Sequence, residues 1–295
     1  MEVKCNGTIM GLTTPDEQRR IMIAYVYLSF AAIGIPISTF VLAVFMSNAR
    51  SANSCYKLLT ITSIFDLTDL IIGSLVCGLI SLFNWTPCNG HRWTNYVGNV
   101  GLASWFSYSA ASEVLALDRM LVFVNDKWSE ALFSGRKAWI WSLYVVVYVG
   151  ISFATYPEGM YYVYDPYAGV IHDGKYYVFH IVSNFMKLIV VTGMYIIMCI
   201  GVIRKVSKYG STGITYQIKT LVVALLSDLK CIFYVTATYF SDGPYMSFFA
   251  QLTWIFVHFL TAVIYFLANK LVRETFLKLT RKTGNRIINK SSIVH

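Results

Sequence analysis

The sequence predicts an all-α membrane protein, a bundle of seven transmembrane helices with the N-terminus outside and the C-terminus in the cytoplasm. Of its 295 residues, 56% are hydrophobic and only 13% are charged, whereas a soluble domain carries roughly 25% charged residues. The apolar residues form seven runs, each long enough for the ~20 residues that a helix needs to cross a bilayer. No internal repeat or low-complexity linker divides them, so we expect one transmembrane domain, residues 21–268.

The spans follow a short polar segment, 1–20, which is predicted to be an extracellular tail. Pro36 lies inside the first run and is expected to kink it, and the polar stretch 125–136 is expected to be a loop. A basic tail, 269–295, ends the chain and is predicted to be partly helical. The seven predicted spans are 21–47, 57–83, 97–124, 137–156, 178–203, 218–240 and 246–268.

Lysine and arginine set the orientation, because they are enriched in cytoplasmic loops. Most of the 24 such residues lie in one alternate set of loops and ends, which includes the tail 269–295. The other set holds Lys4, Arg19, Arg20, Arg92 and Lys175. The net charge of +9 is therefore interpreted as a cytoplasmic basic face for anionic lipids or an acidic partner, and nucleic-acid binding is not needed to explain it.

Catalytic signatures are missing from the sequence. The six cysteines show no CxxC or Cys/His spacing, and there is no GxGxxG, P-loop, HExxH or GxSxG motif. We therefore expect no enzyme activity and no cofactor. Asn6 begins a glycosylation sequon in the predicted outer tail; a second sequon at Asn84 abuts the membrane and ranks below it.

Asp118 and Arg119 form an acid–base pair at the inner end of the third span. Charge at bilayer depth is costly unless it is paired. One interpretation is an interfacial anchor, with the arginine side chain extending to the headgroups. The other is a functional pair at the cytoplasmic face.

Five charged residues lie near the midplane, as judged from a helical rise of ~1.5 Å per residue. Such residues are expected to face one another or water, and their network is either a structural polar knot or a switch. Not all of its acids can be ionised without a cation or shared protons. The five residues are Asp66, Asp69, Glu113, Asp228 and Lys230.

Six residues of the outer half could line a ligand cavity. Lys187 lies at pocket depth on the fifth span, although its ammonium could instead extend to the headgroups. For each aromatic residue, packing against a neighbouring helix is the alternative, and His258 could be a hydrogen-bonded core histidine. The six are Trp105, Tyr108, Lys187, Tyr234, Trp254 and His258.

Seven spans, an outer N-terminus and Asp118-Arg119 resemble a G-protein-coupled receptor. Tyr265, followed by Asn269, is similar to the inner-end tyrosine that leads into a short membrane-parallel helix in that class. Thr261-Ala262 replaces the usual Asn-Pro, and the sixth span has no tryptophan–proline motif.

A narrower resemblance is to the nematode serpentine receptor class T family of chemoreceptors, and it covers nearly all seven spans. The order and spacing of several short phrases carry it. Asp118 departs from the asparagine that the family often has. The phrases are Ser54-Cys55-Tyr56-Lys57, Leu132-Phe133-Ser134-Gly135-Arg136, Asp165-Pro166, Gln217-Ile218, Gln251-x-x-Trp254 and Ile264-Tyr265 with Asn269.

The resemblance implies a chemosensory receptor at the plasma membrane, including sensory cilia, with a small extracellular ligand and a heterotrimeric G protein as partners. It assigns coupling to Asp118, Arg119, Tyr265 and Asn269, and a sodium ion to Asp66. The alternative function is a small transporter or channel that uses the midplane charges, although paired repeats and broken helices are missing.

The resemblance also implies a disulfide between Cys5 and Cys88, where class T receptors tend to place cysteines. These are the two cysteines on the predicted outer side, which is the oxidising one. Two free outer thiols are the alternative.

Overall fold

The structure is a computed structural model that describes residues 5–6, 8–9, 16–50, 54–158, 160–173, 177–209 and 244–291. Side chains are described within 16–50, 54–158, 160–172, 177–204 and 245–281. The predicted sixth span lies outside these ranges. Below, outer and inner name the two ends as the charge pattern assigns them.

The helices follow the predicted order, and the third span has the predicted bounds. Span five is longer than predicted and reaches Tyr209, and span one begins four residues earlier than predicted, after Asp16 caps its first turn by accepting from the Arg19 amide at 3.0 Å. Spans one to five and span seven are Glu17–Asn48, Ser54–Phe83, Val97–Val124, Lys137–Ala154, Val178–Tyr209 and Pro244–Ala268.

Five helices in the described part of the chain are long and apolar enough to cross a membrane, namely spans one, two, four, five and seven. Span three is as long but carries the charged residues Glu113, Asp118 and Arg119. On span four, Ile140, Leu143 and Val146 are 65, 63 and 66% exposed. Apolar side chains so exposed on a helix of this length form a surface for lipid.

Span two contains a π-helical turn, Ile71–Val76, between the α-helices Ser54–Leu70 and Cys77–Phe83. Such turns are rare and often occur at functional sites. Gly73 lies in this turn, where a Cβ would be 3.4 Å from Ile255 and 3.5 Å from the Trp254 ring of span seven. The missing side chain therefore lets span seven pack closely against the turn.

The polar stretch predicted as a loop between spans three and four is largely a helix, Asp126–Phe133, so this expectation was wrong. Asn125 caps it by accepting a hydrogen bond from the Trp128 amide at 3.3 Å. Phe133 anchors its last turn, being 1% exposed and stacked on Trp141 at 5.3 Å between ring centroids. The cap and this buried anchor explain why a mostly polar segment becomes helical.

The second outer loop contains an antiparallel β-hairpin, Tyr162–Asp165 with Val170–Asp173, which the sequence analysis did not predict. Its turn begins at Asp165-Pro166, where the carboxylate of Asp165 accepts from the Tyr167 amide at 2.8 Å. Gly169 closes the turn with a φ of 70°, a value that favours glycine.

The hairpin is packed into the outer end of the bundle. Tyr162, Val163 and Tyr164 are buried, and Tyr164 hydrogen-bonds to Ser81 of span two at 2.7 Å. Burial raises the pKa of Tyr164 well above its usual value, which keeps the hydroxyl neutral. The hairpin is thus packed between the outer ends of spans two and three.

The tail continues as one helix, Lys270–Ser291, which is longer than the predicted partial helix. Asn269 caps it by accepting from the amides of Leu271 at 3.0 Å and Val272 at 3.3 Å. Phe276 packs edge-on against Phe40 and Phe266, at 5.8 and 5.1 Å between centroids. The first turns of this helix are therefore attached to spans one and seven.

Candidate functional site

Asp118 and Arg119 form an ion pair at the inner end of span three. Arg119 Nη2 lies 2.8 Å from Asp118 Oδ2, and Asp118 is fully buried. Ser54, the first residue of span two, donates from its hydroxyl to the other carboxylate oxygen at 2.8 Å. The carboxylate therefore joins spans two and three and holds the guanidinium by a charge-assisted hydrogen bond.

The two other residues predicted for coupling lie at the junction of span seven with the C-terminal helix. Tyr265 packs edge-on against Phe45 of span one, with 5.4 Å between centroids. Asn269 is buried and caps the following helix. Both contacts are structural, and a role of either residue in coupling stays a prediction.

The midplane charges are not one network in the described residues. Asp66 and Asp69 of span two converge on His258 of span seven: His258 Nδ1 is 2.6 Å from Asp66 Oδ1, and Nε2 is 3.5 Å from Asp69 Oδ2. All three side chains are buried. We call this arrangement the Asp–His–Asp triad; it crosslinks spans two and seven.

Glu113 is separated from the triad. Its carboxylate accepts a hydrogen bond from the Tyr144 hydroxyl of span four at 3.0 Å. The expectation that the midplane charges form one network was wrong for Glu113, because it lies on the side of span three that faces span four. Asp228 and Lys230 lie outside the described residues.

The sodium ion predicted at Asp66 stays a prediction. Among the described side chains, no group of three or more His, Cys, Asp or Glu residues could hold a metal ion. The contact seen at Asp66 is to the imidazole of His258. A protonated imidazole can supply the positive charge that was predicted to come from a sodium ion or from shared protons.

Lys187 lies inside the bundle and is 1% exposed. Its ammonium is 4.3 Å from the ring centroid of Trp105 and 4.2 Å from that of Tyr108, within the range of a cation–π contact. The alternative interpretation, in which the Lys187 ammonium extends to the headgroups, is therefore wrong. The two rings belong to one turn of span three, so they tie span five to span three.

The rings connect this lysine to the triad. Tyr108 packs edge-on against His258 with 4.8 Å between centroids, and Trp254 does so at 6.2 Å. Five of the six residues predicted to line an outer cavity are thereby brought together, and we call them the aromatic–lysine group: Trp105, Tyr108, Lys187, Trp254 and His258. Tyr234 lies outside the described residues.

Gln251 was not among the residues predicted to line the outer cavity, although it belongs to one of the family phrases. Gln251 is fully buried on span seven, one turn from Trp254. A buried glutamine in an apolar helix was the signal that could have singled it out, because such a side chain needs hydrogen-bond partners.

The outer loops hold the predicted disulfide and glycosylation residues. Cys88 is disulfide-bonded, whereas Cys55, Cys77 and Cys199 do not form disulfides. The side chains of Cys5 and Asn6 lie outside the described residues, so the Cys5–Cys88 pairing and glycosylation at Asn6 stay predictions.

The lower-ranked sequon has a partly buried asparagine. Asn84 is in the left-handed region, with a φ of 51°, and its amide donates to the Tyr167 hydroxyl at 3.0 Å. An amide that is engaged within the fold is a poor glycan acceptor, which agrees with ranking Asn84 below Asn6.

Comparison with known proteins assigns the chain to a family. The model of the family described as serpentine type 7TM GPCR chemoreceptor Srt matches residues 2–289, nearly the whole chain. No curated protein matches. The match agrees with the class T resemblance of the sequence, with the helical bundle and with the membrane-spanning helices. This chain therefore belongs to the Srt family of seven-transmembrane chemoreceptors, and it is a multi-pass membrane protein.

Proposed function

We propose that this receptor binds a small extracellular ligand in the outer half of the bundle and activates a heterotrimeric G protein at its inner face. The observation that supports this most strongly is the contact path from Lys187 through Tyr108 and His258 to Asp66. It joins spans five, three, seven and two by side-chain contacts alone. A ligand that changes the packing of the outer rings would therefore act on the triad at the midplane.

The inner pair is the proposed output of this path. Asp118 accepts hydrogen bonds from both Ser54 and Arg119, which restrains the arginine in the resting state. A ligand that favours a state in which spans two and three separate would release Arg119 toward a G protein. Such a shift requires only that the ligand bind one of two states more tightly.

A screen in cells tests this proposal. The full chain is expressed with a promiscuous Gα subunit, and calcium release is recorded for a library of small volatile and soluble compounds. We expect at least one compound to elicit a response that is lost in Arg119→Ala at equal surface expression. Arg136→Ala, which removes an exposed arginine at the start of span four, is the matched control and should respond.

The buried triad also supports a second candidate, a proton-coupled transporter, because chains of buried Asp and His residues form proton relays in such proteins. Flux distinguishes the two. Proteoliposomes that contain the purified receptor should show no stoichiometric uptake of a compound that activates it, and uptake coupled to protons would favour the transporter.

Location is part of the proposal. A chemoreceptor with this orientation would act at the plasma membrane, and we propose sensory cilia as its site in the cell. Imaging a receptor tagged at its C-terminus tests this, with retention in internal membranes as the contrary result.

A further inference from the structure

Span seven carries three buried polar atoms that have no hydrogen-bond partner within the described part of the chain. They are both amide atoms of Gln251 and the indole Nε1 of Trp254. Gln251 is 0% and Trp254 8% exposed. The two residues are three apart, so they lie on the same face of the helix. Buried polar groups are almost always hydrogen-bonded, and each exception calls for an explanation.

Most of the described neighbours of these atoms are apolar. Phe248 and Ile255 flank Gln251 on the same buried face, and Phe248 stacks on Tyr27 of span one with 5.9 Å between centroids. Trp254 lies beside Gly73 of the π-helical turn and Gly101 of span three; a Cβ at either glycine would be 3.4–3.5 Å from the indole. Side chains of this kind give no hydrogen bond to an amide or an indole N–H.

The hairpin of the second outer loop covers these atoms on their outer side. Ile171 would lie 3.4 Å from a Cβ at Gly101, as close as the Trp254 ring does. Gln251 is seven residues into span seven, or roughly 10 Å below its outer end at ~1.5 Å per residue. The unpaired atoms therefore lie in the outer half of the bundle and are shielded from water.

We propose that Gln251 and Trp254 form the recognition point of the ligand site, and that the ligand is a small uncharged molecule with a hydrogen-bond acceptor next to a donor. The indole N–H and the amide NH₂ of Gln251 donate to a carbonyl or similar oxygen. The amide oxygen of Gln251 accepts from a neighbouring hydroxyl or N–H. Hydroxy ketones, lactams and simple amides carry this pair of groups.

Charged ligands fit these atoms less well. A carboxylate offers no proton to the amide oxygen of Gln251, and an ammonium ion offers no acceptor to the indole and amide N–H groups. Either ligand would leave polar atoms unpaired in an apolar site, and it would lose its own hydration as well. The three atoms thus select for a neutral molecule with both functions.

This inference rests on the proposed function and names the ligand class for it. Trp254 also packs against His258, so a ligand held by its indole would touch the path to the triad. Binding is nevertheless measurable without any G protein, which separates the two proposals.

The test uses purified full-length receptor in lipid nanodiscs, with thermal melting and equilibrium binding as readouts. The probes are hydroxyacetone and 2-pyrrolidinone as neutral molecules with both groups, propionate as a carboxylate without a donor, propylammonium as an ammonium without an acceptor, and cyclopentane as an apolar molecule. We expect the two neutral polar probes to raise the Tm of the wild type and the other three to leave it unchanged, because only a ligand that binds the folded state stabilises it.

Three variants test whether the probes bind at the proposed atoms. Gln251→Leu should abolish the probe-induced shift, and Trp254→Phe, which keeps an aromatic ring but removes the N–H, should weaken binding about tenfold, the size expected for one lost hydrogen bond. Without any probe, Gln251→Leu should melt at or above the wild-type temperature, because it removes two unpaired polar atoms. Asn184→Leu is the control: Asn184 is buried and donates to the carbonyl of His180 at 3.0 Å, so its loss should lower the Tm but leave the probe-induced shift.

Several results would overturn the inference. They are an unchanged shift in Gln251→Leu, a shift with propionate or propylammonium alone, or no shift with any probe in the wild type. A drop in the probe-free Tm of Gln251→Leu as large as that of Asn184→Leu would mean that a resident water already pairs the amide. A receptor that binds the neutral probes but never promotes nucleotide exchange would refute the signalling proposal and leave this one standing.

Discussion

The imidazole Nδ1 of His258, on span seven, lies 2.6 Å from Oδ1 of Asp66, on span two. Both side chains are buried, so removing one partner takes a short polar contact from the other in low dielectric. We expect Asp66→Asn and His258→Ala each to lower the stability by about 3 kcal/mol. Thermal and denaturant unfolding of the purified receptor measure this loss.

The double variant shows whether the two residues act as a pair. If they do, its loss should be smaller than the sum of the single losses by about 1 kcal/mol or more. Glu274→Gln, at an exposed ion pair with Lys270 in the C-terminal helix, is a control that should change little. Strictly additive losses at Asp66 and His258 would contradict the pairing.

A sodium series on the same proteins tests the ion predicted at Asp66. Bound sodium would raise the Tm of the wild type with concentration and leave Asp66→Asn unaffected. If both proteins respond alike at every sodium concentration and pH, the ion site is rejected and the acid has a packing role.

Span three approaches the hairpin closely at Gly98. A Cβ at Gly98 would overlap the backbone carbonyl of Tyr162, and backbone atoms cannot move aside as a flexible side chain can. We expect Gly98→Ala to destabilise the receptor by about 2 kcal/mol, the middle of the range for overpacking, and to weaken binding of any ligand held beneath the hairpin. Gly150→Ala on span four is the control, because nothing lies within 4 Å of its added Cβ; equal Tm values for the two variants would refute the close packing.

The sequence predicted the helices well because each transmembrane span is a local pattern of apolar residues. Span three matched its predicted bounds, and Asp118 and Arg119 came out as a pair because they are neighbours in the chain. The hairpin was missed because its strands are short and lie in a loop whose composition indicates only turns. Its stability comes from burial against spans two and three, which no local pattern reports.

The sequence predicts how deep a residue lies in the membrane, but not which neighbouring helix its side chain faces. Glu113 has the same depth as Asp66, yet it is five residues from Tyr108, so at 3.6 residues per turn the two point about 140° apart on span three. Tyr108 faces His258, so Glu113 turns toward span four. For Lys187 the sequence left open whether the ammonium lies at pocket depth or extends to the headgroups, and two aromatic faces hold it inside the bundle. Both outcomes depend on helix rotation, which the sequence alone left open.

The disulfide of Cys88 should tie the N-terminal tail to the loop between spans two and three. Pairing with Cys5 closes a loop of about 80 residues, for which chain entropy gives roughly 4 kcal/mol of stabilisation. We expect Cys5→Ser and Cys88→Ser to lower the Tm equally and the double variant to lower it no further. Cys77→Ala changes a free buried thiol and should not alter the disulfide map. Non-reducing peptide mapping that finds Cys5 alkylatable in folded surface protein would rule out this pairing.

The restraint on Arg119 has two measurable parts. Asp118→Asn weakens the charge-assisted hydrogen bond, so basal signalling in cells should rise several-fold. Ser54→Ala removes one hydrogen bond to the same carboxylate and should raise it less. The matched control is Ser47→Ala, whose hydroxyl bonds only within its own helix, to the carbonyl of Val44 at 2.8 Å. Unchanged or lower basal signalling in Asp118→Asn at equal surface expression would count against the restraint.

The most direct test of receptor function needs no ligand, because Asp118→Asn should be active without one. Purified Asp118→Asn receptor in nanodiscs is mixed with a panel of heterotrimeric G proteins, and uptake of a non-hydrolysable GTP analogue is followed. The account predicts that at least one heterotrimer exchanges nucleotide severalfold faster than with empty nanodiscs, and that adding Arg119→Ala to the same receptor removes this acceleration. Equal exchange with and without Arg119, or no acceleration of any heterotrimer by a folded receptor, would contradict it.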